Sequence, residues 1–409
     1  MRSPLPKALM PLCGKPMLWH VLRKALSLKA KKTVVVAGFR ADLVKRLVGR
    51  SAEVIRQKRL LGSGHAVSAA YGALKGFKGR VLVLYCDTPL VSRRSMETLL
   101  GRHTNGSGVT LLSARLEDPA GYGRIRRSGT GAVEGIVEEK DASEAQRGLN
   151  EVNVGAYVFD SQKLFAALKS VSLNPLKKEY YLTDAVGILA REGLAEAVPA
   201  PGGAEESLGV NTRLDLAKLG MRMQDEVLKE FSEQGVVIRD PRTTVIDAGV
   251  RIGEGTVVQP STVIEEDSVI GKGCVIGPFA RIRGASRIGD RSVIGNFVEV
   301  VRSVIGPDTI IKHLSYIGDA RIGRGVNIGA GTITANFDGK TKHVTVIKDK
   351  ASLGSGTVLI APVTVGRGAK TGAGAVVPKR QNIPDGGVVA GVPAKVLKKA
   401  RDKRRGGRE

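Results

Sequence analysis

The sequence predicts an α/β domain with a largely parallel sheet, followed by a parallel β-helix whose sides are six residues long. Three observations predict it. Short apolar runs alternate with amphipathic segments in the first half. An Ile or Val recurs at every sixth position from Ile246 through Val300. Between them lies a long amphipathic stretch, residues 211–234.

In the first half the runs Thr33–Ala37, Arg80–Tyr85, Val109–Ala114 and Val152–Phe159 read as buried strands. Met17–Leu28 and Ala41–Val48 lie between some of them as amphipathic helices. Alternation of strand and helix implies helices packed on a mostly parallel sheet. Ligands of such sheets sit beyond the carboxyl ends of strands, and VLVLYCDTPL puts Asp87 there. Asn211 to Gln234 is expected to be one helix joining the domains, with Leu214, Leu219, Met223, Val227 and Phe231 on one face.

The repeat begins at Ile246 and runs through Ile252, Val258, Ile264, Ile270, Ile276, Ile282, Ile288, Ile294 and Val300. With 42% hydrophobic residues overall, chance would give ten such positions in a row with a frequency of about 2 × 10⁻⁴. The period slips by one residue, resumes at Ile305, Ile311 and Ile317, and returns at Ile347, Leu353, Leu359 and Val365. Six fits neither a helix of 3.6 residues per turn nor an alternating strand. It fits a chain that turns a corner after each side and points one side chain per side into a narrow prism. Gly follows the apolar residue at Ile252, Ile270, Ile276, Ile288 and Ile294, near corners that need a left-handed backbone. A β-sandwich is excluded, because its turn signals come about every 8–12 residues. Residues 335–345, ANFDGKTKHVT, break the period and are expected to project as a loop.

Composition narrows the function. The 409 residues carry a formal charge of +25, with fifteen Lys or Arg against two acids in residues 1–60 and eight against two in residues 395–409. Neither stretch has the interleaved aromatics of a single-strand binder, so the excess is read as a solvated surface serving anionic small substrates rather than nucleic acid. Cys13, Cys86 and Cys274 are odd in number and far apart, which excludes a full disulfide framework and a Cys-cluster zinc site and suits a reducing cytosol. No apolar run reaches the roughly 18 residues of a membrane span. The N-terminal hydrophobic stretches are broken by Pro and Lys, unlike a signal peptide. A soluble, cytoplasmic protein is expected.

Ordered motifs then resemble a known family. LPKAL, CGKPML, LLGSGHA, YCDTPL, DPAGYGRI, GIVEEKDA, EVNVGAYVF, EYYLTD and GVNTR occur in sequence in the first half, and IGPFARIR, IGNFVE, HLSYIGDA, NIGAGTITANFDGK and IAPVTVG in the second. Over nearly its whole length the chain resembles the bifunctional N-acetylglucosamine-1-phosphate uridyltransferase/glucosamine-1-phosphate N-acetyltransferase family. The resemblance implies a Rossmann-like nucleotidyltransferase domain at 1–210, a linker helix at 211–240, a left-handed β-helix acetyltransferase domain at 241–394 and a basic tail at 395–409. It also implies a homotrimer.

For acetyl transfer from acetyl-CoA to glucosamine 1-phosphate, the resemblance makes His313 the general base, a role suited to an imidazole that titrates near neutrality. Arg283, Tyr316 and Asn327 match contacts to the sugar phosphate. Ala330, Asn336, Phe337, Ser355 and Ala373 match the acetyl-CoA site. For uridyl transfer from UTP to N-acetylglucosamine 1-phosphate with release of pyrophosphate, Asp87 and Asn211 match ligands of Mg²⁺, a cation that prefers oxygen donors. Lys7 matches a phosphate contact, and Gln57, Gly62 and Ser63 match contacts near the uracil. Tyr85, Gly123, Glu138 and Asn153 match positions around the nucleotide sugar.

The chain departs from the family in places. The family opens with a strand and a Gly-rich LAAGxGTRM loop that cradles the triphosphate, whereas this chain begins MRSPLPK. Either the start lies further upstream or uridyl transfer is impaired. Cys86 replaces a Gly, Val301 stands where the family has a Lys, with Arg302 beside it, Phe337 replaces a Tyr, and Gly391 sits where some members carry an Arg for CoA. Two other readings remain: a monofunctional acetyltransferase with a vestigial nucleotide domain, and a trimeric basic scaffold for nucleic acid. The acetyltransferase motifs speak against the scaffold, and against a sugar nucleotidyltransferase with a non-catalytic β-helix.

Overall fold

The structure, a computed structural model, describes residues 3–175 and 177–398. Most of the basic tail expected at 395–409 therefore lies outside the described residues. Contacts divide the chain into two compact units, Met1–Leu219 and Gly220–Glu409.

In the first unit the order of the main elements is α1 (Met17–Ser27), β1 (Val34–Ala37), α2 (Ala41–Val48), β2 (Glu53–Arg56), α3 (Ser63–Ala69), β3 (Arg80–Leu84), α4 (Arg93–Arg102), β4 (Val109–Arg115), β5 (Arg124–Arg127), β6 (Val133–Val137), β7 (Glu151–Asp160), α5 (Ser161–Ser170), α6 (Leu182–Arg191) and β8 (Ala195–Pro199). The sheet's two faces bury different residues of the same strands. Val109, Leu111, Tyr157 and Phe159 pack with Leu164, Leu182, Val186 and Leu189. Leu112, Ala114, Val154 and Val158 pack with Val91, Met96 and Leu99. Successive strand residues point to opposite faces, so β4 and β7 serve both cores and are mostly apolar along their lengths.

The α/β class stands, with a Rossmann-like sheet in which β3, β4, β5 and β8 share one direction and β7 runs against them. β8 runs parallel to β4 and β2 parallel to β1, whereas β7 is antiparallel to β3, β4 and β5. A strand buried on both faces reads as the same apolar run in either direction, so periodicity could not give the sense of β7. β1 and β3 each pair with one strand among the described residues, and most of their apolar side chains stay half-buried.

A helix, α7 (Arg213–Glu233), contains the boundary between the units. Leu219, Met223 and Phe231 are buried on it, as expected, and Val227 is partly so. Leu214 is 63% exposed, contrary to the expected face.

The second unit is a three-sided parallel β-helix. Among the described residues its sides stack into sheets of ten, eight and seven short strands, one per coil except the last, Lys395–Lys398, which folds back antiparallel on Val388–Ala390. Each Ile or Val of the repeat lies on the next, as in Ile246, Ile264, Ile282, Val300 and Ile317 down one side. These side chains are buried in one continuous core. Parallel strands buried inside in this way gain nothing from a single coil and everything from the stack.

The structure adds two features. Two residues before each Ile or Val sits a small buried residue, such as Thr256, Thr262, Ser268, Cys274 or Ala280. Many of their hydroxyls are satisfied by the backbone; Thr256 Oγ1 donates to Gly271 O at 2.8 Å and Thr309 Oγ1 to Gly323 O at 2.9 Å. A second one-residue shortening follows Ile317, because Ile322, not residue 323, stacks on Ile305. The segment 335–345 joins Ile333–Ala335 to Thr345–Ile347 and folds back on itself, with His343 N donating to Asn336 O at 2.7 Å.

Candidate functional site

In the β-helix one edge of the prism gathers the central residues. Backbone hydrogen bonds stack its corners coil upon coil: Leu314 N to Asn296 O, Gly331 N to His313 O, Gly356 N to Ala330 O and Gly374 N to Ser355 O. Asn296, His313, Ala330, Ser355 and Ala373 therefore occupy successive coils of one edge. Residues far apart in sequence meet because each coil returns the chain to the same corner.

His313 ends the strand Ile310–His313 and is exposed. Its Nδ1 lies 2.9 Å from Asn296 Oδ1. A carbonyl oxygen only accepts, so Nδ1 carries a proton, and in the neutral ring the lone pair is then on Nε2. Asn296 was not among the residues read from the sequence; the signal available there was its place in IGNFVE, one coil before His313. Asn327 sits on the side leading into this edge, in register with Ile310 and Ser352.

Tyr316 lies on the next side, in register with Glu299 and Ile333. Beyond it the following edge carries Arg283, Val301, Asn336 and Phe337. Arg283 Nη1 is 3.3 Å from Glu299 Oε1. Glu299 is thus a second residue that the sequence reading missed. Val301 is buried, so no cation stands at its position. Arg302 does not replace one, since its Nε and Nη2 both bind the Asp319 carboxylate at 2.7 Å. That fork holds Asp319 below the ordinary carboxylate range, with help from Asn336, whose Nδ2 donates to the same group. Phe337 is 58% exposed at the start of the loop. Within one chain, then, His313 and the pair Asn336 and Phe337 belong to different edges. Gly391 has φ of +93°, a conformation that an Arg there would adopt only with strain.

In the first unit, Lys7 Nζ lies 2.6 Å from Asp87 Oδ2 and 3.1 Å from Asn211 Oδ1. Asp87 follows β3 by three residues, beyond its carboxyl end. Asn211 is brought in by the preceding residue, as Val210 N donates to Asp87 O at 2.9 Å. Two hard oxygens thus converge on one cation position, which fits Mg²⁺ completed by water and phosphate oxygens. Among the described residues there is no cluster of three or more His, Cys, Asp or Glu suited to a metal.

The remaining residues form a wall beside this pair. Removal from water pushes the Tyr85 hydroxyl up to about 12, with Ser63 and Tyr157 as its hydrogen-bond partners. Asn153 Nδ2 donates to Tyr157 Oη at 2.6 Å, and Asn153 N to Gly123 O at 2.9 Å. Glu138 accepts from Thr183 Oγ1 at 2.8 Å, and burial raises its carboxyl above the ordinary value. Gln57 Nε2 reaches Gly62 O at 3.2 Å, and Ser63 Oγ accepts from Leu182 N at 3.0 Å. A side chain at Gly62 would strike the backbone of Tyr180, which explains the glycine. Cys86 packs against the α1–α2 core, and burial pushes its thiol up to about 12, which disfavours the thiolate.

Comparison with known proteins agrees with this division. The profile of the MobA-like NTP transferase domain matches residues 1–154, and that of the bacterial transferase hexapeptide, six repeats, matches residues 267–302. Fold and sites together define a transferase with a nucleotidyltransferase half and a hexapeptide-repeat half. The chain is 42% identical to the bifunctional protein GlmU of Bacillus velezensis, over 92% of this chain and 90% of that protein. It is 41% identical to that of Bacillus subtilis over the same shares, and 39% to that of Streptococcus equi subsp. zooepidemicus over 99% and 95%. The chain belongs to the GlmU family. It is a bifunctional transferase of UDP-N-acetylglucosamine synthesis, with acetyltransferase and uridylyltransferase activities. Among the described residues no helix is long and apolar enough to cross a membrane.

Proposed function

We propose that the edge carrying His313 moves the acetyl group of acetyl-CoA onto the amine of glucosamine 1-phosphate. The observation that supports this most is the alignment of His313 with Ala330, Ser355 and Ala373 on consecutive coils. In this reading the thioester lies along the edge, and the amine nitrogen attacks its carbonyl carbon. His313 Nε2 takes the proton as the C–N bond forms; the C–S bond breaks and the CoA sulfur leaves with its electron pair. Asn327 and Tyr316 hold the sugar, and Arg283 holds its phosphate. Asn336, Phe337, Ser355 and Ala373 line the CoA side. Because Arg283, Asn336 and Phe337 belong to a different edge from His313, a complete site draws them from a neighbouring copy in a cyclic trimer, a closed arrangement for such rods.

In the first unit, Lys7, Gln57, Gly62 and Ser63 bind UTP, and Tyr85, Gly123, Glu138 and Asn153 surround the sugar. Asp87 and Asn211 would hold Mg²⁺, which when bound neutralises phosphate charge. The domain limits at 1–210, 211–240 and 241–394, and a cytoplasmic location, complete the proposal. The test is His313→Ala, with both transfers assayed on the same folded preparation. Acetyl transfer should fall by ~10²–10⁴, the usual worth of a positioned base, and uridyl transfer should be unchanged. Undiminished acetyl transfer would reject the assignment.

A further inference from the structure

We infer that Asn296 is a positioning residue for His313: its side-chain oxygen holds the imidazole in the tautomer that leaves Nε2 basic, and does so without charge. The inference rests on the reading of His313 as the base.

The geometry begins in the backbone. Asn296 and His313 are register partners on adjacent coils, and Leu314 N donates to Asn296 O at 3.0 Å. The two side chains therefore leave neighbouring rungs in the same direction. Asn296 is half-buried and His313 is exposed, so the amide is the more firmly held of the two. The backbone of His313 is also held, since Ser315 Oγ donates to His313 O at 2.8 Å and Gly331 N to the same oxygen at 3.3 Å. With Nδ1–H directed at Asn296 Oδ1 over 2.9 Å, Nε2 is left to face a substrate amine.

The surroundings decide what kind of partner Asn296 is. The strand Val293–Asn296 brings no charged residue to this corner, and neither do Asn327 to Thr332 on the other side. The charged neighbour on His313's own strand is Lys312, which is exposed. Among the described residues, these two segments place no carboxylate behind the ring. A carboxylate at this place would orient the imidazole equally well, but it would favour the protonated form. A protonated imidazole cannot accept the proton of an attacking amine. The amide supplies orientation without adding the charge that would favour protonation.

Two substitutions separate orientation from charge. Asn296→Leu removes the acceptor, and Asn296→Asp keeps an acceptor and adds charge. The expected result for the Leu variant is a fall in kcat for acetyl transfer of roughly tenfold or more, with KM for glucosamine 1-phosphate little changed. The Asp variant should recover kcat above about pH 8.5, with the acid limb of its kcat/KM profile moved up by about one unit. A purely structural role would move neither the limb nor the kcat-to-KM split. Reaction of His313 with diethyl pyrocarbonate, followed by mass spectrometry across pH, reads the same titration without turnover. Its midpoint should rise in the Asp variant. A folded Leu variant with unchanged kcat, an Asp variant no better than Leu at high pH, or an unmoved midpoint would overturn the inference. Should His313→Ala retain acetyl transfer, the reading of the site fails, and the pyrocarbonate midpoint alone still decides whether Asn296 sets the state of His313.

Discussion

The ammonium of Lys7 stands 2.6 Å from Asp87 Oδ2 and 3.1 Å from Asn211 Oδ1, so one cation already bridges the two oxygens that would hold a metal. On the proposed reading, Lys7 and a divalent ion would compete for the same place until a nucleotide offered Lys7 its phosphates. Lys7→Met should bind Mn²⁺ more tightly than the unaltered protein when no nucleotide is present, as measured by electron paramagnetic resonance, because a like charge has been removed. It should bind UTP more weakly. Weaker Mn²⁺ binding would show that Lys7 supports the ion rather than competing with it.

Asp87→Asn should slow uridyl transfer by ~10²-fold or more, the scale of losing one preorganised electrostatic contact. Acetyl transfer by the same preparation should not change, because His313 and Asp87 belong to different compact units. Parallel assays of pyrophosphate release and CoA release check both halves.

Asp319 titrates with a consequence for stability. Its carboxyl is held below the ordinary aspartate value of 3.8, first by the Arg302 fork and then by Asn336. A depressed carboxyl stabilises the fold above its unfolded-state value, and the stabilisation is lost as pH falls through the folded-state value. Asp319→Asn should therefore cost about 1–3 kcal/mol at pH 7, the worth of charged hydrogen bonds. The gap from the parent should close below about pH 3.8. Urea titrations of the two proteins at several pH values measure it.

Ile311 lies between Ile294 and Ile328 in one inward stack and is fully buried. Ile311→Ala should destabilise the β-helix by about 2–5 kcal/mol, since a closely stacked prism has little freedom to collapse into the gap. Equilibrium unfolding in guanidinium gives the value directly.

Phe279 and Phe297 stack on the His313 edge with ring centres 5.1 Å apart, and they are 52% and 56% exposed. Leu314 continues them at 63% exposure. Such an apolar strip is suited to burial against a second copy. Phe297→Glu should shift the mass found by light scattering from three chains toward one and lower acetyl transfer with it. A trimer that persists with full activity would place the contact on another surface.

The β-helix was legible because its signal is local. A residue every six positions is a property of neighbouring residues along the chain, and only a corner-turning prism uses it. The helices Met17–Ser27 and Ala41–Val48 were legible for a similar reason, as their apolar stripes repeat within a few residues. Leu214 was misread because a stripe gives direction around a helix but does not say where along its length the covering partner ends.

By itself, then, the sequence determined the two classes of fold, the inward residues of each coil and, through ordered motifs, the family. What only the tertiary structure decided were relations between distant segments. The antiparallel sense of β7 depends on which strands it meets, not on its own apolar run. The second shortening, after Ile317, becomes visible only when Ile322 is seen to stack on Ile305. Arg302 could not be judged as a substitute for a missing Lys until its guanidinium was found on Asp319, 17 residues away. Asn296 meets His313 across the same interval of 17 residues. A coil returns each corner to nearly the same place after one circuit, and the contacts that tune a charge are made across that return rather than along the chain.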